Sequence, residues 1–168
     1  MKAEKFTFFW RSESPFSNWY PSEFVIDGIK FNCSEQYMMY GKAMLFGDHE
    51  IAEKILQSSN PGSQKALGRK VKKFDQKVWT ENARNIVYNA CDAKFRQNEH
   101  LLKRLLKTKG TTLVEASPVD PIWGIGLAAD DPKAHSRHKW RGKNWLGQVL
   151  TQLREDILAE QAAERSKD

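Results

Sequence analysis

The sequence predicts an α+β fold, a predominantly helical single domain with a few short strands at its N-terminal end and centre. Three observations carry that expectation. An Asp-Gly turn separates two short apolar runs near residue 27, capping residues open successive helical segments from residue 34, and a β-branched run at 111–116 precedes a last amphipathic stretch.

Residues 5–10 read as a strand, and Phe24-Val25-Ile26, Asp27-Gly28, Ile29-Lys30-Phe31 as a hairpin, because Asp-Gly accepts the positive φ angles of a two-residue turn. Ser34 is placed to cap a helix through Phe46, ended by Gly47; Asp48 caps the next, and Asn60-Pro61 opens a third. Asp75 caps a long stretch with apolar Val78, Trp79, Ala83, Ile86, Val87, Ala90 and Phe95, and Asn98 starts a separate short helix over 101–106. After the strand at 111–116, residues 118–143 form a Gly/Pro-rich charged loop too long for a simple connector. A final helix from about Asn144 carries Leu146, Val149, Leu150, Leu153 and Ile157, and residues 159–168 read as a frayed tail on a domain spanning 1–158.

With 168 residues and 40% hydrophobic content the chain closes one substantial core. It contains no run approaching the roughly 18 apolar residues of a membrane span and opens without a signal-peptide core, which points to the cytoplasm. Cys33 and Cys91 lack disulfide or zinc spacing, and His135 and His138 have no nearby cysteine, so neither metal nor cofactor is expected. Lys and Arg outnumber Asp and Glu 27 to 21, a formal charge of +6, with basic residues dense at 65–73 and 135–143. Such a surface either attracts phosphates or is simply solvated; six tryptophans add platforms for a base or sugar.

Glu35 and Lys42 lie about two turns apart on one predicted helix, with Met38 and Met39 between them. A lysine held among apolar side chains is disfavoured as a cation, making its neutral, nucleophilic amine accessible. The same spacing also suits a core-packing stripe whose charged ends reach the rim, and Gly41 implies close approach by another group. In the segment after Glu115, Asp120 suits acid/base work or a ribose hydroxyl, Trp123 suits stacking on a base, and Gly124 suits main-chain approach to a phosphate; a turn anchored by Trp fits equally. Asn144 and Trp145 stand at a helix start, where Asn144 is an N-cap or part of an anion site. Asn18 occupies a turn, and Arg69 either clamps a phosphate or lies on a solvated face.

In order, Pro15-Phe16-Ser17-Asn18, Ser34-Glu35-Gln36-Tyr37-Met38-Met39 with Lys42, Leu67-Gly68-Arg69, Trp79, Lys94-Phe95, Leu113-Val114-Glu115, Asp120 with Trp123-Gly124, and Gly142 to Gly147 resemble the NADAR (YbiA-like) family. The resemblance implies an α+β N-glycosidase that cleaves base–ribose bonds. Its substrates are either ADP-ribose attached to guanine in nucleic acid, reversing a toxin transferase, or early riboflavin-pathway ribosylamino-pyrimidine phosphates. It makes Lys42 the nucleophile through a transient Schiff base, Asp120 the proton shuttle and Glu35 the holder of a ribose hydroxyl or of Lys42. Trp123 and Trp79 become pocket walls, Arg69, Glu115 and Asn144 sugar-phosphate contacts, and Asn18 and Gly124 further substrate-binding residues. Attack by an Asp120-activated water is the alternative mechanism. A non-catalytic ADP-ribose/NAD or nucleic-acid-binding module is the alternative of another class.

Overall fold

In the computed structural model, which describes residues 3–167, the chain resolves into two compact units. One is the continuous segment Asn18–Asn98; the other joins the residues up to Ser17 to those from Glu99 onward. The first is therefore inserted in the sequence of the second.

The inserted unit starts with the expected hairpin: β2 (Phe24–Ile26) pairs antiparallel with β3 (Ile29–Phe31), Phe24 opposite Phe31. Asp27 and Gly28 take φ of 51° and 78°, as a tight turn of that hand requires. Four helices follow, α1 (Ser34–Leu45), α2 (His49–Gln57), α3 (Pro61–Gly68) and α4 (Gln76–Gln97). Side-chain caps at Asp48, Asn60 and Asp75 accept from Ile51 N, Ser63 N and Lys77 and Val78 N, so each helix starts where a carboxylate or amide oxygen meets its free amides. At α1 the expectation is corrected by one residue. Cys33 is the N-cap, without a side-chain cap bond, and Ser34 is already helical; Phe46 lies just past the end.

Helix α1 packs on α2, α3 and α4. Phe24, Phe31, Ala90 and Ala93 form one core cluster, with Tyr37 and Tyr40 against it; the Phe31 and Tyr37 rings meet edge-on at 5.0 Å. A buried amide network fixes the same helices: Asn32 N donates to Gln36 Oε1 at 2.7 Å, Gln36 Nε2 donates to Ile55 O at 3.0 Å, and Gln64 Nε2 donates to Ser58 O at 3.0 Å. Each satisfied pair avoids a desolvation penalty of roughly 1–3 kcal/mol.

In the other unit β1 (Phe6–Phe9) runs parallel to β4 (Thr112–Glu115), from Phe6 opposite Thr112 to Phe9 opposite Glu115. Helices α5 (Glu99–Leu106) and α6 (Trp145–Arg165) complete it, and Val114, Ile125, Leu127 and Ala134 form its core cluster with Phe6, Phe8 and Trp140. Arg154 of α6, only 2% exposed, donates to Thr108 O at 2.9 Å and Thr111 O at 2.6 Å, tying the α5–β4 turn to the helix. The long loop at 118–143 contains single 3-10 turns at Pro132–His135 and Arg137–Lys139. Helix α6 runs on to Arg165, past the boundary at 159 where fraying was expected. Ala, Glu, Gln and Arg, all strong helix formers, make up that extension; residue 168 lies outside the described residues.

Candidate active site

Lys42 stands near the end of α1, half-buried, with its Nζ 4.7 Å from the Phe74 ring centroid and 5.7 Å from that of Trp79. Burial pushes its amine below the ordinary lysine range; the Arg69 charge works in the same direction and the Glu35 carboxylate opposes both. Glu35, two turns earlier, is 4% exposed. Met38 and Met39 are buried between them, as the spacing predicts. Gly41 has a packing cause: a Cβ there would lie 2.7 Å from Ile86 Cγ2, so α4 closes on α1 at that point.

Around the first turn of α1, Glu35 N donates to Asn18 O at 2.9 Å. Asn18 Oδ1 and Ser34 Oγ are buried and take no hydrogen-bond partner among the described residues. An orphaned buried acceptor and hydroxyl beside a buried carboxylate suit a ligand carrying hydroxyl groups. Arg69 is the C-cap of α3 and exposed, and Trp79 lies in the first turns of α4, partly buried. Asn18, Glu35, Lys42, Arg69 and Trp79 are thus brought into one neighbourhood of the inserted unit.

Phe74 is an addition that sequence reasoning missed. It precedes the N-cap Asp75 and stands five positions before Trp79, the N′ and N4 positions of a hydrophobic staple, and that pattern was the available signal. Lys94, quoted above only as part of a motif, is fully buried in α4, its amine pushed down to about 8 by burial, with Cys33 and Cys91 opposing.

In the second unit, residues after β4 make a tight turn. Ser117 Oγ accepts from Val119 N at 3.3 Å and Asp120 N at 3.1 Å; Asp120 Oδ1 accepts from Ile122 N and Trp123 N, each at 2.9 Å. One carboxylate oxygen of Asp120 therefore holds the loop, while Oδ2 takes no hydrogen bond from the described residues. The half-buried Trp123 ring meets Trp145 edge-on at 5.4 Å. Glu115 ends β4 half-buried, with its carbonyl accepting from Ile125 N at 3.0 Å.

Two expectations for this region are corrected. Asn144 is neither a side-chain cap nor open to a ligand: it is fully buried at φ 55°, its Oδ1 accepts from Glu115 N at 3.0 Å, and its Nδ2 donates to Leu113 O at 3.0 Å. The start of α6 is not a free anion site, because Asn144, Trp145 and Leu146 N donate to the carbonyls of Gly124, Ile122 and Trp123. Gly124 is small for the protein's own sake: a Cβ would fall 2.9 Å from Glu115 O and 3.0 Å from Asp120 O. No cluster of three or more His, Cys, Asp or Glu suited to a metal occurs among the described residues.

A family model described as the NADAR domain matches residues 8–158. The N-glycosidase R617 of Acanthamoeba polyphaga mimivirus is 41% identical over 167 residues, covering 93% of this chain and 98% of its own. The N-glycosidase YbiA of Escherichia coli is 32% identical over 145 residues, 86% of this chain and 82% of its own. Its NMR structure matches with a TM-score of 0.77 at 28% identity, over 96% of this chain and 90% of that one. The chloroplastic Riboflavin biosynthesis protein PYRR of Arabidopsis thaliana is 32% identical over 123 residues, 71% of this chain but 19% of that longer protein. Matched over most of its length by this model and by two relatives named as N-glycosidases, the chain belongs to the NADAR family and is an N-glycosidase.

Proposed function

We propose that this N-glycosidase cleaves the bond between a phosphorylated ribose and a nitrogenous base, and that its substrate is ADP-ribose joined to guanine in nucleic acid. The observation that carries the reading is the Lys42 amine, half-buried, held below its ordinary range and set against two aromatic rings. A neutral amine in such surroundings is a competent nucleophile.

In this reading Lys42 Nζ attacks C1′ of the ribose, and the C1′–N bond breaks with its electron pair going to the base nitrogen, which takes up a proton. Loss of a proton from Nζ and opening of the sugar ring, with its oxygen protonated, leaves an iminium between C1′ and Nζ. Water then adds to C1′ and Nζ departs, so the sum is one water across the N-glycosidic bond. The family resemblance assigns these proton transfers to Asp120, stacking to Trp123 and sugar contact to Glu115. Buried Glu35 and the orphaned Asn18 Oδ1 suit ribose hydroxyls, Trp79 walls the amine, and exposed Arg69 meets phosphate.

The polymeric substrate is favoured by the net charge of +6 and by the exposed side chains of Lys65, Arg69, Lys70, Lys72 and Lys73. The reaction that must supply it is ADP-ribosyl transfer to guanine, the work of a toxin transferase. Two free, buried cysteines suit a reducing compartment, the cytoplasm. Similarity to PYRR favours a second reading, in which the ribosylamino-pyrimidine phosphates of riboflavin synthesis are the substrate.

Incubation with guanine-ADP-ribosylated DNA under borohydride is expected to yield a protein–ribose adduct on Lys42 and, without borohydride, released ADP-ribose. Base release without a trapped adduct would favour the activated-water mechanism. Turnover of the pyrimidine phosphates alone would favour the second substrate, and tight ADP-ribose binding with no base release would overturn the catalytic reading.

A further inference from the structure

Phe74 is 41% exposed, a large apolar ring left half in water between Lys73 and the capping Asp75. Core packing does not account for it. The ring is held from two sides: Asp75 Oδ1 accepts from Lys77 N and Val78 N, fixing the chain at the start of α4, and Phe46 meets the ring edge-on at 5.3 Å. Lys73, immediately before it, sits at φ 61°, a left-handed conformation unusual for a lysine, which turns the chain into this position. The result is an aromatic face 4.7 Å from Lys42 Nζ, with Trp79 at 5.7 Å as a second face.

We propose that Phe74 is a positioning residue, whose ring face stabilises the positive charge that develops on Lys42 Nζ as it bonds to the ribose carbon. The inference rests on the Schiff-base reading above. The deprotonated amine that attacks offers the ring quadrupole no charge, whereas the nitrogen becomes cationic as it bonds to C1′ and is cationic again as the iminium. A ring face within about 6 Å attracts a cation, more strongly when the pair is shielded from water. The attraction therefore grows along the reaction coordinate, and an interaction stronger in the transition state than in the ground state raises kcat rather than lowering KM.

The test replaces Phe74 with pentafluorophenylalanine, which keeps shape and apolarity while reversing the quadrupole, and separately makes Phe74→Leu and Phe74→Tyr. For the first two, kcat is expected to fall about tenfold with KM changed less than about twofold, and the borohydride adduct to form correspondingly more slowly. Phe74→Tyr keeps the aromatic face and should retain near wild-type kcat. Undiminished kcat in the fluorinated protein, with adduct still formed, would overturn the role of Phe74 alone. A rise in KM with kcat intact would overturn it too, making the ring a substrate contact. No adduct in the unmodified protein would remove the Schiff-base reading and this inference with it.

Discussion

Asn144 reaches back about thirty residues to Leu113, donating from Nδ2 to its carbonyl at 3.0 Å, while its Oδ1 accepts from the amide of Glu115 at 3.0 Å. One fully buried side chain thereby pairs with two main-chain groups on that edge of β4, while Thr151 Oγ1 accepts from Leu113 N and Ile125 N donates to Glu115 O. Asn144→Asp replaces the donor by a buried carboxylate facing a carbonyl. It should cost about 3 kcal/mol of stability, read from urea unfolding midpoints. A loss below about 1 kcal/mol would mean that β4 does not depend on this bridge.

Gly41 and Ile86 set up a second test. Alanine in a helix interior normally gains about 1 kcal/mol over glycine, but here the new methyl would lie 2.7 Å from a stiff, β-branched Cγ2. Overpacking of that kind costs about 1–3 kcal/mol, so the clash wins and Gly41→Ala should lower Tm. In an Ile86→Ala background, where Cγ2 is gone, the same change should raise it. Stabilisation in both backgrounds would show that the helices separate freely.

Lys42 makes the reaction pH-dependent in a definite direction. Its pKa is lowered by burial, and the neutral fraction grows as pH rises through that value, so base release should increase with pH and level off below the range of an ordinary lysine. The charged neighbours are Glu35 on α1, which opposes the shift, and Arg69 after α3, which assists it. Arg69→Gln removes a positive neighbour that lowers the Lys42 pKa and should therefore move the ascending limb to higher pH. Lys42→Ala should leave less than roughly a tenth of the activity with the fold intact, since alanine suits the helix. A limb unmoved in Arg69→Gln would separate Arg69 from the amine's electrostatics.

The substrate proposal predicts a difference in salt dependence. A protein neutralising several phosphates of a polymer releases condensed counterions, so affinity for ADP-ribosylated DNA should fall steeply between about 50 and 200 mM salt. Free ADP-ribose brings no such atmosphere, and its affinity should fall much less. Equal slopes for the two ligands would remove the argument from charge and return the riboflavin-intermediate substrate to parity.

The sequence by itself determined what depends on neighbours a few residues apart. The Asp27-Gly28 hairpin, the caps at Asp48, Asn60 and Asp75, and the shared face of Glu35 and Lys42 all follow from local turn chemistry and the 3.6-residue period. The family resemblance added the glycosidase expectation. Only the tertiary structure decided the pairings that cross long stretches of chain: Asn144 with β4, the carbonyls of Ile122, Trp123 and Gly124 closing the start of α6, and Phe74 with Lys42. A helix N-terminus looks the same in sequence whether its amides face a phosphate or another loop, and an aromatic beside lysines looks like surface. Which partner each group meets is set by packing between distant segments, and short-range periodicity carries no record of it.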